Sequence, residues 1–100
     1  MNPNKEEPNL ELPPNTIWNN ICKIAITEDK PIMLDYWSES LEKKVVIGVK
    51  ENKEKLLVKN SEEYTSPIAK IFKMDNVYII CTENSLYIVS SNIESRKISS

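Results

Sequence analysis

Few side chains in this 100-residue sequence are equipped for chemistry, and histidine is absent. Without imidazole, a general base must be a carboxylate, lysine, tyrosine or cysteine whose pKa its surroundings have moved. Asp35 is the best single candidate, because it stands between Leu34 and Tyr36 in an otherwise apolar run. Strand alternation gives it a plainer role, as a carboxylate on a solvent face opposite Leu34 and Tyr36, or one bonded to amides in a loop. Glu62-Glu63-Tyr64 offers a metal ion or a cationic side chain two adjacent acids. Hard cations want more oxygen ligands than that, and such a pair is more often a solvated surface. Cys22 and Cys81 fall in apolar contexts 59 positions apart, so both read as small buried hydrophobes and not as a disulfide. Ser85 follows Asn84 in a turn, without a nucleophile-elbow context or a histidine partner. A single glycine is too few for a phosphate-cradling loop, and the lack of histidine removes His-based triads and zinc sites. The sequence therefore implies no enzyme, no cofactor and no metal.

Binding remains, and charge order along the chain is its clearest signal. The formal charge of -2 argues against affinity that comes mainly from neutralising phosphates. That small total hides a polarity: residues 1 to 42 carry -5, residues 43 to 59 carry +4, and residues 60 to 100 carry -1. Lys43, Lys44, Lys50, Lys53, Lys55 and Lys59 are the candidate basic face, suited to an acidic protein surface or a nucleic-acid backbone. No aromatic interleaves these lysines for base stacking, and the single arginine, Arg96, lies elsewhere. Lysines also keep the edge of an exposed hairpin from pairing with another chain. Trp37 and Tyr64 complete the candidate binding residues. Tyr36 and Trp37 are adjacent, so on a strand they point to opposite faces, and one lies near the surface as an interface anchor. In the alternative, Trp37 covers a barrel end against a helix.

These residues need elements to hold them. Residues 1 to 14 contain four of the six prolines and three glutamates, with few apolar side chains. They read as a disordered or loosely docked acidic tail, or as a short motif, Pro8-Asn9-Leu10-Glu11-Leu12, that orders on a partner. Capped by Asn15 or Thr16, a helix is expected over about 16 to 26, where Ile17, Trp18, Ile21, Cys22 and Ala25 recur at helical spacing. It must stop before Pro31. The rest reads as strands: Ile32 to Trp37, Lys44 to Lys50, Lys55 to Lys59 with Leu56 and Val58 inward, Pro67 to Lys73, Val77 to Thr82 and Leu86 to Ser90. Val77 to Thr82 is apolar on both sides, as suits a central strand covered twice. Bends would come from bulges or from Asn and Asp in left-handed geometry, Asn84 among them.

The expected fold is mainly β with one N-terminal amphipathic helix, an α+β chain. Its roughly six strands form a small antiparallel meander or a barrel that resembles the SH3-like kind in strand count alone. One globular domain spans 15 to 92, and 93 to 100 is a weak closing strand or a frayed tail. No apolar run approaches the roughly 20 residues that span a bilayer. Two cysteines, and eleven asparagines without an N-x-S/T acceptor, point to the cytoplasm. Ile, Lys and Asn abound while Gly, Ala and Arg are scarce, which points to an A+T-rich genome, as in many firmicutes, their phages and some large DNA viruses. The function expected is a non-enzymatic intracellular module that binds an unidentified protein partner. The alternatives are a nucleic-acid-binding barrel using the 43–59 hairpin, or a homo-oligomer that sequesters a small anion.

Overall fold

The computed structural model describes residues 13–98. Helix α1 (Asn15–Glu28) runs two residues past the expected end, and it starts on Pro14 without a side-chain cap. Pro14 suits the first turn because it has no N–H to leave unpaired. Ile17 and Ile21 are fully buried, with Ile24 and Ala25 packed beside them, and this spacing fixes the inward face. Cys22 falls off that face and is exposed, contrary to expectation. Asp29 ends the helix in left-handed geometry (φ 57°), and Lys30 N–H returns to Ala25 O at 3.1 Å.

The chain then departs from the expected meander. Strand β1 is only Ile32–Met33, and a turn leads into a five-residue helix α2 (Trp37–Leu41). There follow β2 (Val46–Val49), β3 (Lys55–Asn60), β4 (Glu63–Tyr64), β5 (Ile68–Met74), β6 (Val77–Thr82), β7 (Leu86–Ser90) and β8 (Glu94–Lys97). These strands make two four-stranded sheets: sheet A in the order β1-β7-β6-β5, and sheet B in the order β4-β3-β2-β8. The fold is thus mainly β with α helices, as expected, but neither sheet closes into a barrel. Two pairings, β1 with β7 and β2 with β8, are parallel, which a meander of hairpins does not contain. Of the segment read as a tail, residues 1–12 lie outside the described residues, as do 99 and 100.

Alternation along β6 and β7 builds three layers. Val77, Ile79 and Cys81 with Leu86 and Ile88 face α1, together with Ile17, Ile21 and Trp37. Ile80 and Val89 face the other way, against Val45, Ile47 and Leu57 of the sheet B side. The doubly apolar run at 77–82 is therefore a central strand covered on both sides. Tyr36 and Trp37 do point to opposite sides, but both are buried, one in each cluster. They sit where the chain turns into α2 beside β7, one ring on each side of sheet A, and both sides are covered. Left-handed residues and bulges do replace glycine at bends: Asp29, Lys43, Lys53 and Asp75 have positive φ, and the ladders shift at Val58/Asn60 and Ile68/Lys70. Asn84 is not among those with positive φ. Instead Thr82 Oγ1 holds its turn, accepting the Asn84 and Ser85 N–H groups at 3.2 and 3.1 Å.

Candidate functional site

The face of sheet B turned away from sheet A is where charged and apolar side chains meet. Its floor follows from register. Val46 pairs with Val58 and Gly48 with Leu56, while Leu57 lies on the opposite face, in the core between the sheets. Leu56 and Val58 were expected to point to the core; the six-residue strand carries Leu57 inward in their place. β8 brings Ile98 alongside, with its N–H bonded to Val49 O at 3.0 Å. Ile98 can lie across the sheet because Gly48 beneath it has no side chain. A Cβ there would meet Ile98 Cδ1 at 2.8 Å.

Lysines gather at the hairpin end of sheet B. Lys53 adopts φ 75° in the tight β2–β3 turn, where its N–H reaches Lys50 O at 2.9 Å and Asn52 Oδ1 accepts the Glu54 N–H at 2.9 Å. Lys55 and Lys97 both pair with Val49 on neighbouring strands. Lys50, Lys53, Lys55 and Lys97 thus surround a hollow of about 650 Å³ with Val49 and Ile98 in its wall. Lys50 also pairs with Glu54 at 3.6 Å. Among the described residues no ion pair ties Lys53, Lys55 or Lys97.

A second hollow, about 690 Å³, shares Lys50 and Ile98 with the first and continues along β3 over Leu56 and Val58 to Asn60. Its far wall is the 64–67 segment. Tyr64 pairs with Val58 and is 59% exposed. Thr65 fixes the loop behind it, its N–H bonded to Leu57 O at 2.9 Å while its Oγ1 accepts the Leu57 N–H at 3.1 Å. Asn60 Oδ1 holds the preceding turn by accepting the Glu62 and Glu63 N–H groups at 2.8 and 3.0 Å. The two hollows meet at Lys50 and Ile98, but the pleat puts Val49, Lys55 and Lys97 of the first on the face of sheet B opposite Leu56 and Val58 of the second.

Of the expected binding residues, Lys50, Lys53 and Lys55 line the first hollow, and Lys50 and Tyr64 the second. The others line neither. Lys43 ends α2 in left-handed geometry, and Lys44 is paired with Glu42 at 2.9 Å, both beyond the opposite end of β2. The Glu42 carboxylate, by hydrogen bond and charge, holds the Lys44 ammonium above its usual pKa. Lys59 turns to the inner side, its ammonium 4.8 Å from the Tyr36 ring centroid and 3.9 Å from Glu63 Oε2. Burial, with smaller contributions from Tyr87, Glu63 and Asp35, pushes the Tyr36 hydroxyl up to about 12. Trp37 is buried against α1. Lys97, Ile98 and the Leu56–Val58 floor were not anticipated, since nothing local to 94–98 announces parallel pairing with β2.

Asp35 lies exposed in a turn, Glu62 is exposed in the β3–β4 turn, and Glu63 is exposed at the start of β4. Among the described residues no group of three or more histidine, cysteine or acidic side chains converges as metal ligands, and no helix is long and apolar enough to cross a membrane. No protein-family model, curated protein or solved structure matches this chain.

Proposed function

We propose that this chain is a small protein-binding module whose groove takes an extended peptide segment bearing acidic and aliphatic side chains. One observation carries the reading: a hollow floored by Leu56, Val58 and Ile98 lies beside the exposed ring of Tyr64, with Lys50 at the end it shares with the lysine-lined hollow of the β2–β3 turn. The six residues of β3 give the groove a length of about 20 Å, which suits six or so residues of extended chain. The floor would bury aliphatic side chains, Tyr64 would anchor them, and the lysines would steer acids and fix register. A nucleic acid suits the groove less, because its floor offers no row of stacking rings, and Arg96, in register with Gly48 on the same face, is tied to Glu94 at 3.1 Å. Composition favours a cytosolic setting and an A+T-rich phage or viral genome.

Fluorescence anisotropy tests the reading, with a labelled peptide that alternates glutamate and leucine and a labelled oligonucleotide of similar charge. The peptide should bind at physiological salt, and K53E/K55E should weaken it at least about tenfold. Tyr64→Ala should do the same by removing the anchor. Tighter binding of the oligonucleotide, lost in K53E/K55E, would move the assignment to nucleic-acid recognition. No binding of either probe overturns it.

A further inference from the structure

We infer that the lysine-lined hollow of the β2–β3 turn is a second site, one that takes an oligophosphate: two or more linked phosphate groups, free or carried on a headgroup. It is separate from the peptide groove and does not rest on that reading. Val49 follows Ile47 by two residues, so it lies on the side of β2 that faces sheet A. Ile47 is buried there while Val49 is only half-buried, so sheet A stops covering β2 between them. Lys55 on β3 and Lys97 on β8 stand in register with Val49 from either side, and residues in register share a face. Their Cα atoms are two strand spacings apart, about 10 Å, which two flexible lysine stems can close onto one anion above Val49.

The turn supplies a third lysine at a conformational cost. Lys53 holds the left-handed position (φ 75°) of the Glu51-Asn52-Lys53 connection, a place that glycine or asparagine ordinarily fills. A lysine there strains the backbone and brings its ammonium to the wall of the hollow. Lys50 is the fourth, paired with Glu54 at 3.6 Å, and Glu51 is the one acid in the lining. Lys53, Lys55 and Lys97 have no ion pair among the described residues. Three such ammonium groups around one hollow call for dense negative charge, and a terminal phosphate brings nearly two units where a carboxylate brings one. Lysine serves phosphate as a compact point charge, whereas planar carboxylates favour the arginine fork, and no arginine lines the hollow. The volume of about 650 Å³ falls among small-molecule sites, and the apolar wall of Val49 and Ile98 has no ring to stack a base.

Isothermal titration calorimetry of the full chain with tripolyphosphate, at about 150 mM salt, tests this. Wild type should bind one equivalent. K55Q/K97Q should weaken binding at least about tenfold, and Lys53→Gly about three- to fivefold. Lys53→Gly relaxes the turn, so its urea midpoint should hold or rise and its lost affinity is not a folding defect. Lys73→Gln, which removes the same charge from β5, should bind as wild type does. Phosphatidylcholine vesicles carrying a phosphoinositide bisphosphate identify the source. Retention on them, lost in K55Q/K97Q, assigns a lipid headgroup, and tripolyphosphate binding without retention assigns a free oligophosphate; either supports the site. Absence of both, or retention indifferent to K55Q/K97Q, overturns it. Equal losses in Lys73→Gln and Lys53→Gly also overturn it, as diffuse attraction, and tighter binding of an oligonucleotide of equal charge does so in favour of a nucleic-acid backbone. The glutamate–leucine peptide reads the other groove, so its binding without tripolyphosphate or vesicle binding overturns this site alone.

Discussion

Gly48 shows how one residue type sets the site. Its φ is not positive, so its backbone is open to any residue; what matters is the space its missing side chain leaves. An added Cβ would stand 2.8 Å from Ile98 Cδ1 and 3.0 Å from Val58 Cγ2. The nearest atom is the far end of the Ile98 side chain, which can turn aside, so Gly48→Ala should cost stability only about 1 kcal/mol by urea midpoint. The same change displaces the groove floor, and anisotropy should show peptide affinity falling at least about tenfold. Tyr36 makes a second test at this scale. Its hydroxyl titrates near 12 when folded, against 10.0 in the unfolded chain. The unfolded state therefore releases that proton first. The stability tied to the neutral hydroxyl is complete below pH 10 and falls as pH rises toward 12. Urea midpoints measured across that window should decline, and Tyr36→Phe should decline less.

Among the elements, β6 bears most of the architecture because each of its faces serves a different cluster. Ile79 is fully buried under α1 and Ile80 fully buried against sheet B. Ile79→Ala or Ile80→Ala should each cost about 2 to 5 kcal/mol in urea unfolding, a large part of the stability of a domain this size. The Glu28–Lys70 pair at 3.0 Å joins α1 to β5 across exposed surface. Lys70 holds the Glu28 carboxyl below its usual range, mainly through its hydrogen bond. Any contribution is thus present at neutral pH and lost as pH falls through that lowered range, and solvent screens it. Glu28→Gln should leave the urea midpoint near wild type at neutral pH. Elements fixed by local pattern could be read from the residues: α1 from its 3.6-residue apolar period, β6 from its double-sided run, and the basic hairpin from its lysines. Elements fixed at a distance could not. β1 and β8 are edge strands made by parallel partners far along the chain, and the face that Leu56 and Leu57 take depends on register with β2. Half of the groove therefore had no local signature, Lys97 and Ile98 above all.

At the scale of the whole molecule, the alternation of charge along the chain becomes a difference between layers. The described residues up to position 42 carry five acids and two lysines, while the groove end of sheet B gathers four lysines. Attraction for an acidic segment should be screened as salt rises, whereas the aliphatic floor should keep its share. Anisotropy titrations from low salt to about 1 M should show affinity falling about tenfold and then levelling. The parallel pairings carry a different consequence, one for biosynthesis. Ile32 waits for Leu86, 54 positions later, and Val46 waits for Glu94, 48 positions later. A nascent chain can form α1 and the β2–β3 hairpin early, but it holds β2 as an open edge until β8 leaves the ribosome. Contacts this remote in sequence make for slow folding. Lys97 and Ile98 are accordingly among the last residues to take their places, so the hollows they border stay incomplete until β8 closes the strand order of sheet B.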